Sequence, residues 1–361
     1  MRYRSMIRGF RRSCILIALG FLCATSLGAQ DLRSRPGDFV YRPLSNEGYM
    51  QAWNMNFRGG GYYVYITYLI SNFGPGDRNN GMSMLIYHRG KSTVRTAEYT
   101  ERSLKATPGK FGLRAGLSWI RFKDGKYEAY AERDDVRVRV DLTPRGGGVR
   151  LSGGPIQIGG GSFIRADVPV GYGTVTGAMR IGGKRVEIKG VGGIEYLYAN
   201  NSPHTYAKRF ILHRTYSGGR GLFLGGFHGT KKFPGGRLFR AILTDGGRIV
   251  AQGKIGKIEQ VRTERNAFSG YQIPLQTRYY LEGDTNCHLN VTRGSFAGGY
   301  HVLGHISALL RWVVKVLFAK PYIMQYNAKA TIECPGAGAS PLKKFAGRGY
   351  ALQSSHYMIN E

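Results

Sequence analysis

The groups best placed to do chemistry gather in residues 192–209, Gly-Gly-Ile-Glu-Tyr-Leu-Tyr-Ala-Asn-Asn-Ser-Pro-His-Thr-Tyr-Ala-Lys-Arg. Glu195, Tyr198 and His204 supply a carboxyl, a phenol and an imidazole, which as a set would give an acid, a hydroxyl that orients, and an auxiliary base. Glu195 would serve as the acid if burial raised its pKa, but no neighbouring residue offers itself as its partner. In an extended chain Glu195, Leu197 and Ala199 face one way and Tyr196, Tyr198 and Asn200 the other. Tyrosine rings tipped with hydroxyls suit a pocket for a lipid-like molecule with a polar end. Tyr65, Tyr196, Tyr198, Asn200, Lys208 and Arg209 are the expected ligand contacts. The plainer alternative makes residues 200–204 a polar turn set by Pro203.

Other constellations fall short of a site. His301 and His305 are four apart, yet the glutamate of a His-Glu-x-x-His zinc helix is missing after His301. His288 adjoins Cys287, and adjacent strand residues point to opposite faces. Gly177, Gly182 and Gly183 lack the Gly-Lys-Ser/Thr ending of a phosphate loop. Neither metal nor cofactor is expected. Cys287 and Cys334 are the cysteines left if a leader is removed; they form either one disulfide or two separately buried thiols.

The leader itself is written in residues 1–29. Arg2, Arg4, Arg8, Arg11 and Arg12 precede the apolar run 14–24, and small residues follow up to Ala29. That is the form of a secretory signal peptide, and the apolar run is shorter than the ~20 residues a membrane span needs. The expectation is export to the periplasm or the cell exterior. Net charge falls by five from +30 on cleavage and stays strongly basic. Such a charge favours peripheral contact with anionic membrane, and export makes nucleic acid an inaccessible partner. Arg137 and Arg139 alternate with valines, as on the wet face of a half-buried strand.

The elements that must position these groups read as strands and turns. Residues 62–70 are aromatic and β-branched, residues 82–88 follow a Gly- and Asn-rich turn, and Asp124-Gly125 and Asp245-Gly246-Gly247 separate strand pairs as hairpin turns do. The 54 glycines follow no three-residue period, which excludes collagen. Short strands at such intervals favour antiparallel barrels or sandwiches. The expected fold is all-β, with two antiparallel barrels in tandem: 38–187, then 188–340, with 341–361 as a tail. One amphipathic helix is expected at 306–318. A membrane β-barrel is the weaker alternative, because many of the runs are six to eight residues long.

The 192–209 segment, with residues 65–81 and the overall length, resembles the tandem lipocalin-like (calycin) group that contains carotenoid 1,2-hydratases, AttH-like proteins, fungal survival-factor-like proteins and related barrel cyclases. The survival-factor branch is most similar, through Gly192-Gly193, the aromatic strand, Ala199, Ser202-Pro203-His204 and Ala207-Lys208-Arg209-Phe210. The resemblance implies two calycin barrels that bind or transform isoprenoid, polyketide or sphingolipid-like molecules. The hydratase branch carries His-Asp-His followed by Asn and Trp in this strand. Here Glu195-Tyr196-Leu197-Tyr198-Ala199-Asn200-Asn201 stands instead. Two functions are therefore expected in order: an exported carrier for a hydrophobic lipid or isoprenoid-like molecule, then a hydratase, cyclase or isomerase using Glu195 as general acid. Oligomeric state is left open.

Overall fold

Alternation of buried and exposed side chains is clearest in two strands of the N-terminal sheet, Lys126–Arg133 and Val136–Pro144. Val136–Pro144 buries Val136, Val138, Val140 and Leu142 and exposes Arg137 and Arg139. The computed structural model describes residues 33–73, 76–145, 148–150, 154–217, 219–246, 248–301 and 321–359. The leader expected at 1–29 and the helix expected at 306–318 lie outside the described residues. Among the described residues no helix is long and apolar enough to cross a membrane.

The chain is all-β, with antiparallel strands in two barrels. The N-terminal sheet runs, in spatial order, Lys91–Tyr99, Asn79–His88, Tyr62–Ser71, Met50–Gly59, Lys184–Ala199, Ser162–Ile181, Val136–Pro144, Lys126–Arg133, Ser118–Lys123, Gly112–Ala115 and Leu104–Ala106, and it curls almost shut. The C-terminal barrel closes fully through Ala207–Ser217, Arg220–Gly229, Arg237–Asp245, Arg248–Arg265, Gln272–Leu281, His288–His301, Tyr322–Glu333 and Gly349–Met358. Both Asp-Gly signals mark hairpin turns: Lys123 pairs with Lys126 around Asp124 and Gly125, each at positive φ, and Asp245 pairs with Arg248.

Each barrel has its own core. Trp53, Phe57, Ile66, Tyr68, Tyr127 and Val138 fill the first, and Leu224, Phe239, Tyr279, Leu289, Ile332 and Leu352 the second. Gly190 and Gly192 let Lys184–Ala199 press against Met50–Gly59. A Cβ on Gly190 would come within 1.8 Å of the Arg58 carbonyl oxygen, and one on Gly192 within 2.4 Å of that of Asn56.

Pairing moves two expected boundaries. Lys184–Ala199 bonds to Ser162–Ile181 and to Met50–Gly59, so it belongs to the first barrel, and the second begins at Ala207 rather than 188. Residues 341–361 are not a tail, because Gly349–Met358 bonds to both Ala207–Ser217 and Tyr322–Glu333 and closes the second barrel. Cys287 and Cys334 are joined by a disulfide that ties the entrance of one barrel strand to the exit of the next.

Candidate functional site

One strand pair carries two polar sets back to back. Ala207–Ser217 and Gly349–Met358 are paired so that Ile211 meets His356, His213 meets Ser354 and Arg214 meets Gln353. Because neighbouring residues point to opposite faces, His213, Ser354 and His356 turn into the C-terminal barrel while Arg214 and Ser355 turn out, toward the N-terminal barrel.

The outward set forms a seam. Glu195, on the side of its strand away from the N-terminal core, receives both Nε and Nη2 of Arg214, the latter at 2.9 Å. Arg214 Nη1 donates to Ser355 Oγ at 2.8 Å, and the guanidinium lies 5.3 Å from the centre of the Tyr65 ring. Ser355 in turn donates to Gln325 Oε1 at 2.6 Å, and Arg58 reaches Gln353 Oε1 at 3.2 Å. The Arg214 side chain is 1% exposed. A guanidinium can be buried that deeply only when paired and hydrogen-bonded, and this bidentate contact meets the requirement. Burial, and then the Glu195 carboxylate, push the Tyr65 hydroxyl well above its ordinary pKa, so it stays a neutral donor. The cavity between the barrels beside Gly171, Gly221 and Thr244 is about 10 Å³, room for roughly one water. The seam is closed.

The inward set is of another kind. His213 Nε2 lies 3.1 Å from the Tyr279 hydroxyl, His356 Nε2 lies 3.0 Å from Ser354 Oγ, and the two rings meet edge to face at 6.1 Å. Both histidines are buried, and neither Nδ1 has a hydrogen-bond partner among the described residues. Burial, with Arg214 nearby, pushes His213 down to about 3; burial, then His213, Arg209 and Arg293, hold His356 well below its ordinary value. Two neutral imidazoles thus offer unused nitrogens above a floor of leucine, isoleucine and alanine.

The residues expected to form one site are scattered. Glu195 and Tyr65 meet at the seam. Tyr196 and Tyr198 lie in the N-terminal core, Tyr196 packing on Phe39 and Trp53 and bonded through its hydroxyl to Gln51, Tyr198 edge-on to Phe163. Asn200 ties down a turn, its Oδ1 accepting from the Phe163 amide and its Nδ2 donating to the Gly161 carbonyl. Lys208 is exposed, and Arg209 turns into the C-terminal barrel beside His228 at 3.5 Å.

Glu195, Tyr198 and His204 do not converge. Strand alternation sends Glu195 and Tyr198 to opposite faces, and His204 stands on the helical turn Pro203–Tyr206. The Glu195 acid role needs correcting for a second reason. Arg214 takes both carboxylate oxygens, the positions from which a proton would leave for an alkene.

Sequence reasoning missed Arg214, His213, His356 and Ser355. A signal for Arg214 was present: an arginine on the same strand face as Phe210 and Leu212 must find an anion once that face is covered.

No protein-family model and no curated protein sequence matches the chain. Solved structures do match its fold. An AttH candidate from Nitrosomonas europaea aligns with TM-score 0.63 and 13% identity, over 90% of this chain and 96% of that one. This is the tandem lipocalin-like fold. Kievitone hydratase from Nectria haematococca shares it at TM-score 0.55 and 12% identity, over 88% and 93% of the two chains. CghA with Sch210972 does so at TM-score 0.53 and 8% identity, over 92% and 97%. At such identities the likeness concerns architecture.

Proposed function

We propose that this chain is an exported binding or carrier protein for a hydrophobic lipid- or isoprenoid-like molecule that ends in a hydroxyl or carbonyl, held inside the C-terminal barrel. One observation carries the reading: the unpartnered Nδ1 atoms of His213 and His356 above an apolar floor. Leaving a buried polar atom unpaired costs about 1–3 kcal/mol, and a ligand's oxygen would offset that cost. An eight-stranded barrel is the size at which side chains fill the interior or one small ligand is held, and a ligand's apolar body would gain roughly 25 cal/mol per Å² removed from water. The Cys287–Cys334 disulfide suits an oxidising compartment. The basic balance suits peripheral contact with anionic lipid around a hydrophobic cargo. Native mass spectrometry of gently purified protein, with solvent extraction, tests the proposal. A bound apolar molecule that is lost in His213→Phe and His356→Phe is expected; an empty wild type that also ignores a lipid panel would sink it.

A second reading, a hydratase, cyclase or isomerase for such a molecule, is favoured by the His213–Tyr279 and His356–Ser354 contacts, which set an imidazole beside a hydroxyl. It moves the proton chemistry from Glu195 to these pairs. Product analysis decides between the two: a carrier returns the molecule unchanged, and an enzyme of this design loses turnover in His356→Phe.

A further inference from the structure

Strand pairing lines up one row of outward side chains on the N-terminal sheet that differs from the rows beside it. Lys105 stands opposite Arg114, Arg114 opposite Trp119, Trp119 opposite Tyr130, and Tyr130 opposite Arg139. Residues directly opposite each other share a face, so all five project from the side away from the core. In the rows on either side carboxylates enter: Arg121 faces and pairs with Glu128, and Arg137 faces and pairs with Glu132. Among the described residues no carboxylate forms an ion pair with Lys105, Arg114 or Arg139. Like charges set opposite each other, as at Lys105 and Arg114, destabilise a strand pair, so stability does not account for the arrangement.

The middle of the row is polar but uncharged. The Arg121 guanidinium lies 4.7 Å from the centre of the Trp119 ring, and the Tyr130 ring lies nearly parallel to that ring at 6.0 Å. These contacts steady the indole, whose Nε1 donates to no partner among the described residues. Strands lie about 4.8 Å apart, so Arg114 and Arg139 flank the two rings across a span of about 14 Å. At the Lys105 end the row meets an open groove of about 630 Å³. Every residue lining it lies between Leu104 and Arg121; Trp53 and Tyr127, which pack behind these strands, take no part, so the groove opens outward.

Shape and charge together select the occupant. The row runs across the strands, the direction in which the sheet curls. A flat bilayer would touch only part of it, whereas a flexible chain follows it. A chain of continuous phosphates would find no cation at Trp119 and Tyr130, whereas a chain whose acid groups are separated by hydroxyls meets cations and neutral hydrogen-bonding groups in turn. We propose that this outer row binds a linear acidic polysaccharide, its carboxylates at Lys105, Arg114 and Arg139 and its hydroxyls at Trp119 and Tyr130. The site lies on the outer wall of the N-terminal barrel and is independent of the C-terminal interior.

Calorimetric titration of the purified protein with an alginate oligomer at physiological salt tests this, with a neutral dextran oligomer, single-stranded DNA and anionic phosphatidylglycerol vesicles as comparisons. Saturable binding of the alginate oligomer at least tenfold tighter than any comparison is expected. Lys105→Gln/Arg114→Gln/Arg139→Gln should lose at least tenfold in affinity. Arg220→Gln/Arg248→Gln/Lys329→Gln, which removes the same charge from the C-terminal barrel, should change it less than twofold. All six positions carry exposed side chains, and an unchanged melting temperature would show that each variant is folded. Absence of alginate binding, equal affinity for DNA, vesicles or dextran, or equal losses in the two triple variants would each overturn the proposal.

Discussion

Arg214 and Glu195 hold the seam as a pair, and each is a liability without the other. Removing one partner of a buried ion pair costs about 3–5 kcal/mol, whereas replacing both by apolar groups is often close to neutral. Arg214→Met is therefore expected to lower unfolding free energy by about that amount in a denaturant titration, and Glu195→Leu/Arg214→Met to recover most of it. If the double variant is as unstable as the single one, the pair is not acting as a unit. The histidines behind the pair predict a pH dependence. Folded His213 and His356 titrate well below the ordinary value of about 6.5. Above that value both folded and unfolded chains are neutral at these positions. As pH falls below it the unfolded chain takes up protons first, so stability is lost by up to about 1.4 kcal/mol per pH unit for each histidine. Thermal melts between pH 7 and 4 should show the decline, and His213→Phe/His356→Phe should flatten it.

Strands were legible where one face is dry and the other wet. Val136–Pro144 and the Asp124-Gly125 hairpin could be read from residue order, because alternation and positive φ are local requirements. Gly349–Met358 could not. Its inward face carries Ser354 and His356 and its outward face carries Gln353 and Ser355 of the seam, so four polar residues follow one another with no apolar alternation, although all four are buried. Such a run looks like a solvated tail until its partners are known. The same doubling hid His213 and Arg214, consecutive residues committed to opposite sides. The tyrosines of Lys184–Ala199 were sorted correctly by face, yet nothing local says that theirs is the filled core of the first barrel. Two consequences belong to this scale. Deleting residues 349–358 should open the C-terminal barrel, with loss of its β signal in far-ultraviolet circular dichroism; retention of the full signal would mean the strand is dispensable. Reducing Cys287–Cys334 releases a loop spanning 47 positions. Chain-entropy estimates put its contribution at about 4 kcal/mol, so a reductant should lower the melting temperature markedly.

At the scale of the molecule the two barrels differ in kind. The first is aromatic and filled, with an open edge that carries its charge to solvent. The second is closed around a core of aliphatic and aromatic side chains, with His213, Ser354 and His356 buried on its inner wall. The seam between them joins an ion pair and a set of hydroxyls and amides to an apolar cluster in which Met50, Ile164 and Leu197 of the first barrel meet Phe210, Phe227 and Ile359 on the side of the second. Loosening it should uncouple the barrels. In Arg214→Met, denaturant unfolding followed separately at the disulfide-bearing barrel and at the N-terminal core is expected to split into two transitions where the wild type gives one. Coincident transitions in the variant would show that other seam contacts suffice.

Closure of the second barrel also sets an order of events for a nascent chain. Arg209 pairs with His228 on one side and with Met358 on the other, so the ribosome must deliver nearly the whole of that barrel before its circle of hydrogen bonds can be completed. Until then Ala207–Ser217 presents one bare edge, a row of open backbone groups that a neighbouring chain could pair with.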